Sequence, residues 1–98
     1  MQFQLVEEKN SQTGFKYVTA RVAQADAPVI VQVDGKNNVG EWVNLRRFSA
    51  DGNPNGTGLE QKVNIGAQVL DDEIHYFKDI RVYATHKKIT LEYEERSA

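Results

Sequence analysis

The chain has 98 residues, with 12 Lys and Arg against 14 Asp and Glu, a formal net charge of −2, and no Cys. Its length predicts a single domain over residues 1–98, because separate cores form only in chains about two to three times longer. The charge offers no long-range attraction for nucleic acid or anionic lipid. The lack of Cys excludes disulfides, thiolate metal sites and cysteine nucleophiles.

The first eight residues contain no secretory signal pattern. Glu7 and Glu8 stand where a signal peptide needs a continuous apolar stretch. No run of the sequence approaches the ~20 apolar residues of a membrane-spanning helix. We therefore expect a protein made in the cytoplasm without a signal peptide, with neither nucleic acid nor membrane as a partner.

Alternation of apolar and polar residues predicts β-strands along most of the chain. Val29, Val31 and Val33 share one face of the segment 29–33, and Ile30 and Gln32 lie on the other. The same pattern predicts further strands at residues 3–5, 15–23, 40–48, 59–65, 80–82 and 89–93. Turn-forming residues separate these strands at 10–14, 25–28, 34–38 and 49–58.

The connections are short, which favours antiparallel pairing. The link at 84–88 fits a hairpin and is too short for a crossover helix, so the last two strands are expected to be neighbours. Only residues 67–76 leave room for a helix. The predicted fold is all-β: a single antiparallel β-sandwich (jelly-roll or Ig-like) or a flattened barrel of about seven to eight strands.

The segment at 51–56 resembles the first half of a calcium-binding loop. Asp51, Asn53 and Asn55 offer side-chain oxygens at alternate positions, and a glycine follows. Lys62 occupies the twelfth position, where a calcium loop has a bidentate Glu, and the flanking segments are predicted strands. Turn formation alone explains these residues. We expect no cofactor, with calcium on Asp51, Asn53 and Asn55 as the alternative.

A run of three carboxylates and the only two histidines are the remaining candidates for chemistry. Asp71, Asp72 and Glu73 could bind a cation, alone or together with the 51–56 loop, but a solvated turn also explains them. His75 and His86 are too few for a zinc site unless carboxylates or other chains complete it. No residue pattern supplies an activated nucleophile or a paired acid and base, so we expect no enzyme.

The sole tryptophan lies in the predicted 40–48 strand. Val43 and Leu45 face one way, and the opposite face carries Trp42, Asn44, Arg46 and Phe48. Such a face suits a sugar ring, a peptide or a neighbouring subunit, because Trp and Arg are enriched at interface hot spots. Packing of Trp42 in the core, as in many small β domains, is the alternative, and the sequence leaves both open.

Two later strands also present polar faces. Arg81 and Tyr83 alternate away from the apolar positions of the 80–82 strand, which makes them further candidates for a binding surface. Glu92 and Glu94 share one face of the last strand, where like charges discourage unwanted edge pairing.

The order of these strands resembles small β-sandwich accessory proteins of tailed-phage virions. The match lies in a Val-x-Val-x-Val strand, an Asp34-Gly35 turn, the strand 41–45 with its Trp-Val-x-Leu pattern, a Gly-rich loop, and the strands 79–84 and 89–93. The connection at 34–40 is longer and richer in Asn than the usual tight turn. The resemblance implies a capsid-decoration or tail-associated structural protein, homo-oligomeric and bound to other virion subunits.

Carbohydrate-binding modules have similar strands, exposed aromatic residues and, in some cases, a structural calcium ion. Trp42 with Asn44, together with the 51–56 loop, would serve that function, with a glycan as the partner. The sequence therefore predicts a binding protein and leaves a carbohydrate-binding module as the alternative to a virion component.

Overall fold

The computed structural model describes residues 2–51 and 58–97, and this part of the chain is all-β. One 3₁₀ turn, Gln24–Asp26, follows the first strand. The strands are β1 (Gln4–Val22), β2 (Val29–Lys36), β3 (Trp42–Ala50), β4 (Glu60–Asn64), β5 (Ala67–Leu70), β6 (Glu73–Ala84) and β7 (Ile89–Glu95). Within the described ranges, no helix is both long and apolar enough to cross a membrane.

The 19-residue strand β1 is the central strand that connects both halves of one antiparallel, open sheet. Its first half pairs with β6, from Gln4 opposite Ala84 to Asn10 opposite Asp79. Its second half lies between β4 and β7. The strand order is β3-β2-β6-β1-β4, with β5 added to β6 and β7 added to β1.

Both halves of the sheet contribute to one buried cluster of apolar side chains. The alternating valines of β2 pack with side chains from the second half of β1 and the second half of β6. The largest fully buried residues are Phe15, Ile80, Val18, Val29, Val31, Val33 and Val82. The sheet therefore folds over a shared core, in agreement with the predicted sandwich or flattened barrel.

The predicted break at residues 10–14 is a bend within β1, not the end of a strand. The Ser11 hydroxyl accepts hydrogen bonds from the backbone N–H groups of Thr13 and Gly14, at 3.2 and 2.9 Å. Gly14 has φ +106°, and a Cβ at this position would collide with Tyr76. Glycine thus permits the bend that carries β1 from one half of the sheet to the other.

The expected hairpin between the last two strands is wrong. β6 and β7 both pair with β1, but β6 lies along its first half and β7 along its second. The connecting segment is held by β2 instead, because Thr85 N–H donates to the Ile30 carbonyl and Ile30 N–H donates to the Thr85 hydroxyl. The prediction failed because a short link does not require its two strands to pair with each other. Here it connects two strands that pair with different halves of the long strand β1.

Residues 67–76, the segment with room for a helix, form the β5–β6 hairpin. Leu70 lies opposite Glu73, and the two residues between them, Asp71 and Asp72, have φ of 53° and 63°. Two consecutive residues with positive φ make the type I′ turn that matches strand twist.

The predicted turn at 34–38 begins later, because β2 extends to Lys36. The Asn37 side-chain oxygen accepts hydrogen bonds from the N–H groups of Val39 and Glu41, at 3.1 and 2.8 Å. Gly35 is buried inside β2. A Cβ there would lie 2.6 Å from Leu45 and 2.7 Å from Phe77, so the core requires glycine at this position.

Candidate protein-binding face

One side of β3, β2, β6 and the first half of β1 points away from the core, and we name it the outer face. Cross-strand register places Asn44, Asp34, Arg81 and Glu8 in one row across the four strands. A neighbouring row runs through Gln32, Tyr83 and Leu5. Since opposite residues of antiparallel strands share a face, these side chains form one surface.

Trp42 lies on the outer face, opposite Lys36 in the β2–β3 hairpin. It is half-buried, and it is not part of the buried core cluster. The Arg81 guanidinium carbon is 4.0 Å from the Trp42 ring centre, and the Lys36 Nζ is 5.9 Å away. The tryptophan is therefore a surface residue under two cations, and the core alternative is wrong.

Arg81 is held in place over this ring by a carboxylate. Its Nε donates a hydrogen bond of 3.1 Å to Glu8 Oε1 on β1. Partial burial by itself lowers the pKa of Arg81, but interactions with Glu8 and, to a smaller extent, Tyr83 outweigh it and raise the pKa above its ordinary value. The guanidinium is thus permanently charged and fixed in orientation.

Asp34 organises the centre of the same row. Its Oδ1 accepts hydrogen bonds from Gln32 Nε2 at 3.1 Å and from Asn44 Nδ2 at 3.2 Å. Both amides are consequently restrained on the surface before any partner binds.

A second aromatic group lies further along the outer face. The Arg47 guanidinium carbon is 4.6 Å from the Phe3 ring centre. Leu5 is 46% exposed and lies opposite Tyr83, which is half-buried. Two arginine–aromatic pairs and an exposed leucine therefore share this surface.

Two residues that alternation placed with Trp42 turn away from it. The pairing of β2 with β3 shifts between Val33 and Asp34, so that Leu45 is an extra residue in β3. Beyond this β-bulge, Arg46 lies opposite the buried Val33, and Phe48 lies opposite a buried valine and packs against the core. The bulge reverses the alternation, so Arg46 and Phe48 do not belong to the outer face.

The candidate calcium ligands are only partly described. Asn53 and Asn55 lie outside the described residues, whereas Asp51 follows the end of β3. Asp71 and Asp72 lie beyond the opposite end of β6, so they do not complete that loop. Among residues 2–51 and 58–97, no three His, Cys, Asp or Glu side chains are grouped closely enough to hold a metal ion.

The histidines are also far apart. His75 is near the start of β6, with its Nε2 3.6 Å from Glu73, and His86 follows the end of β6, with its Nε2 3.7 Å from Asp26. The length of β6 separates them, so they cannot contribute to one site.

The outward surface of β4, the second half of β1 and β7 has a different character. Arg21 forms ion pairs with Glu60 and Glu92, and Lys62 Nζ lies 2.9 Å from Glu94. The hydrogen bonds that Arg21 donates to Glu60 and Lys62 donates to Glu94 raise the pKa of Arg21 and of Lys62. As predicted, the glutamates of β7 are exposed, and this surface is covered by paired charges.

Sequence reasoning found Trp42, Asn44, Arg81 and Tyr83 but missed their neighbours. The remaining members of the outer face are Phe3, Leu5, Glu8, Gln32, Asp34, Lys36 and Arg47. Only the pairing of β1 with β6 brings the first three to this surface, and no local sequence pattern predicts that pairing.

Comparison with protein-family models, characterised proteins and solved structures yields no match.

Proposed function

We propose that this is a non-enzymatic structural protein whose outer face binds another protein subunit, as a decoration or tail-associated component of a tailed-phage virion. The observation that carries the proposal is Trp42 under the Arg81 guanidinium on an exposed sheet face. Trp, Tyr and Arg are the residues most enriched at interface hot spots, and the outer face contains all three.

The arrangement of these side chains also favours binding. Glu8 fixes Arg81, and Asp34 restrains both Gln32 and Asn44. Side chains that are already ordered lose less conformational entropy when a partner is bound. The β4–β1–β7 surface also has an aromatic ring beside a cation, Tyr17 with Lys62 Nζ at 4.6 Å from its centre. We assign binding to the outer face because it combines Trp42 and Arg81 with the exposed Leu5.

A carbohydrate-binding module is the second candidate, because Trp42 and Asn44 share the outer face as that function requires. A sugar would stack on an open face of the indole. Arg81 occupies one face of this ring, at 4.0 Å, which favours a protein partner over a glycan.

The test is quantitative mass spectrometry of gradient-purified virions of the phage whose genome carries this sequence. We expect the protein in the particles, and we expect Trp42→Ala to reduce its incorporation by about tenfold or more, as for a hot-spot residue. Arg21→Ala, on the ion-paired surface, is the matched control and should leave incorporation unchanged.

Absence of the protein from purified particles would contradict the virion assignment. Equal incorporation of the Trp42→Ala and Arg21→Ala variants would contradict the role of the outer face. Glycan-array binding that depends on Trp42 would instead establish the carbohydrate-binding function.

A further inference from the structure

Strand β5 has an edge without the features that prevent edge-to-edge pairing. Among the described strands it pairs with β6 alone, so its other edge is open. The other edge strands are protected: β3 has a bulge and two arginines, β4 has a Glu and a Lys, and β7 has three glutamates. β5 reads Ala-Gln-Val-Leu, with no charge and no Pro, and such an edge is a template for another strand.

The geometry of the hairpin determines which groups this edge offers. In a hairpin with a two-residue turn, the residues that flank the turn form the hydrogen-bonded pair. Here that pair is Leu70 and Glu73, so Leu70 and Gln68 direct their backbone groups to β6. Val69 and Ala67 therefore direct theirs to the open edge.

The same hairpin exposes an apolar pair. Val69 lies opposite Ile74, and these side chains are 71% and 58% exposed. They share one face of the hairpin, directly beside the open edge. A partner strand would cover this face if it supplied apolar side chains in matching register.

We propose that β5 pairs antiparallel with β5 of a second copy of this chain, about a two-fold axis at Val69. In this register the two Val69 residues form a hydrogen-bonded pair and exchange both backbone hydrogen bonds. The side chains Ile74, Val69, Val69 and Ile74 then form one continuous row across four strands. Displacement by one residue would place Val69 beside Gln68 and break the row.

Charge complementarity selects a second copy as the partner. The hairpin tip is acidic, with Asp71, Asp72 and Glu73 in succession, and the proposed register places Asp71 beside Ala67 of the other copy. Ala67 lies opposite Tyr76, whose ring centre is 5.8 Å from the Arg96 guanidinium carbon.

Further cations lie near this end of the hairpin. Lys36, Lys78 and Arg96 line the groove beside the hairpin, together with a single carboxylate, Asp79. Antiparallel pairing thus brings the acidic tip of each hairpin to the positively charged end of the other hairpin. The two-fold axis makes this contact occur twice in the dimer.

The dimer is expected to be weak. Four residues from each copy bury less than the ~1,000 Å² of a stable independent interface, so pairing depends on concentration and strengthens when copies are held together in an assembly. The β5 edge is distinct from the outer face, and this inference does not rest on the virion assignment.

Cysteine cross-linking tests the register, because the wild-type chain has no Cys. A hydrogen-bonded antiparallel pair has a Cα separation of about 5.5 Å, within the range of a disulfide. We expect Val69→Cys to form a disulfide-linked dimer roughly tenfold faster than Val39→Cys, since pairing raises the effective thiol concentration. Val39 is the matched control because it is 68% exposed in the β2–β3 turn.

Gln68→Cys provides the register control. In the proposed pairing Gln68 lies opposite Leu70, so two Gln68→Cys chains do not place their thiols together and should cross-link no faster than Val39→Cys. Fast cross-linking at Gln68 but not at Val69 would overturn the register.

Sedimentation equilibrium of the cysteine-free chain tests the association itself. We expect Val69→Lys to raise the dimer dissociation constant by about tenfold or more, because two lysines would face each other at the axis, and Val39→Lys to leave it unchanged. Asp71→Asn with Asp72→Gly keeps a favoured type I′ turn and removes two of the three carboxylates at the tip, so it should weaken the dimer and reduce its salt dependence.

A monomer at all accessible concentrations, or equal effects of Val69→Lys and Val39→Lys, would overturn the proposal. Circular dichroism confirms that each variant is folded before it is compared. If the cysteine-free chain does not dimerise but particle binding still depends on Trp42, the β5 edge alone is refuted. If the chain dimerises through β5 but particle binding does not depend on Trp42, the outer face alone is refuted.

Discussion

The Arg81 guanidinium carbon lies 4.0 Å above the Trp42 ring and joins β6 to β3 across the intervening strand β2. Trp42 is the only tryptophan, so its fluorescence reports directly on this contact. We expect Arg81→Ala to expose the indole, shift its emission to longer wavelength, and lower the free energy of unfolding.

Arg47→Ala is the matched control for that prediction, since Arg47 lies over Phe3 and not over Trp42. It should leave the emission maximum unchanged. An identical spectrum for Arg81→Ala and the wild type would contradict the observed contact.

Substitution of the buried Gly35 tests how tightly the core closes over β2. An added Cβ would lie 2.6 Å from the Leu45 side chain and 2.7 Å from the Phe77 ring. We expect Gly35→Ala to lower the unfolding free energy by about 1–3 kcal/mol, as overpacking does. Denaturant titration measures this, with Lys36→Ala, on the solvent side of the same strand, as a control that should change stability by less than 1 kcal/mol or so.

Two substitutions of Asp72, in the β5–β6 turn, are expected to change the stability of the hairpin in opposite directions. Asp72 has φ 63°, so Asp72→Gly should stabilise the hairpin and Asp72→Ala should destabilise it by about 1 kcal/mol. Hydrogen exchange of the amides of residues 67–76 measures the local change. Slower exchange in the alanine variant than in the glycine variant would contradict the turn assignment.

We expect the buried Tyr93 side chain to lower the stability of the folded protein at alkaline pH. Its hydroxyl is buried without a hydrogen-bond partner among the described residues, and burial, followed by the negative charge of Glu7, raises the pKa of Tyr93. Because the pKa of Tyr93 is raised in the folded state, folding favours the protonated hydroxyl. The stability that this preference provides is fully present below the ordinary tyrosine pKa of about 10 and is lost as the pH rises above it.

Tyr93→Phe removes both the unsatisfied hydroxyl and this titration. We expect its stability at pH 7 to be within about 1 kcal/mol of the wild type or higher. Denaturant titrations at neutral and alkaline pH should show the variant gaining relative to the wild type as the pH rises. A constant difference across that range would contradict the prediction.

Local alternation was sufficient to predict the all-β class and most strand positions. The valines of β2 and the residues Ile80 and Val82 of β6 are buried as expected, because every second residue of a half-buried strand faces the core. The same signal failed at Arg46 and Phe48, where one extra residue in β3 reverses the phase. A bulge has no reliable local signature at this position, since Leu45 and Arg46 fit either face.

Pairing partners were beyond the reach of the sequence. Whether β7 lies beside β6 or beside the second half of β1 depends on how the sheet folds over its core, and both arrangements satisfy the same apolar pattern. The outer face was therefore only half predicted: Trp42 and Arg81 came from alternation, but Glu8 and Phe3 reach them through long-range pairing.

The two halves of β1 impose an order on folding. Gln4 pairs with Ala84 and Phe15 pairs with Glu95, so both halves of β1 need partners that lie about 80 residues later in the chain. Until residues 79–95 emerge, the apolar side chains of β1 have no neighbouring strands on these edges. Such nonlocal closure makes folding slow, and until it occurs the unpaired edges of β1 are exposed to aggregation or need a chaperone.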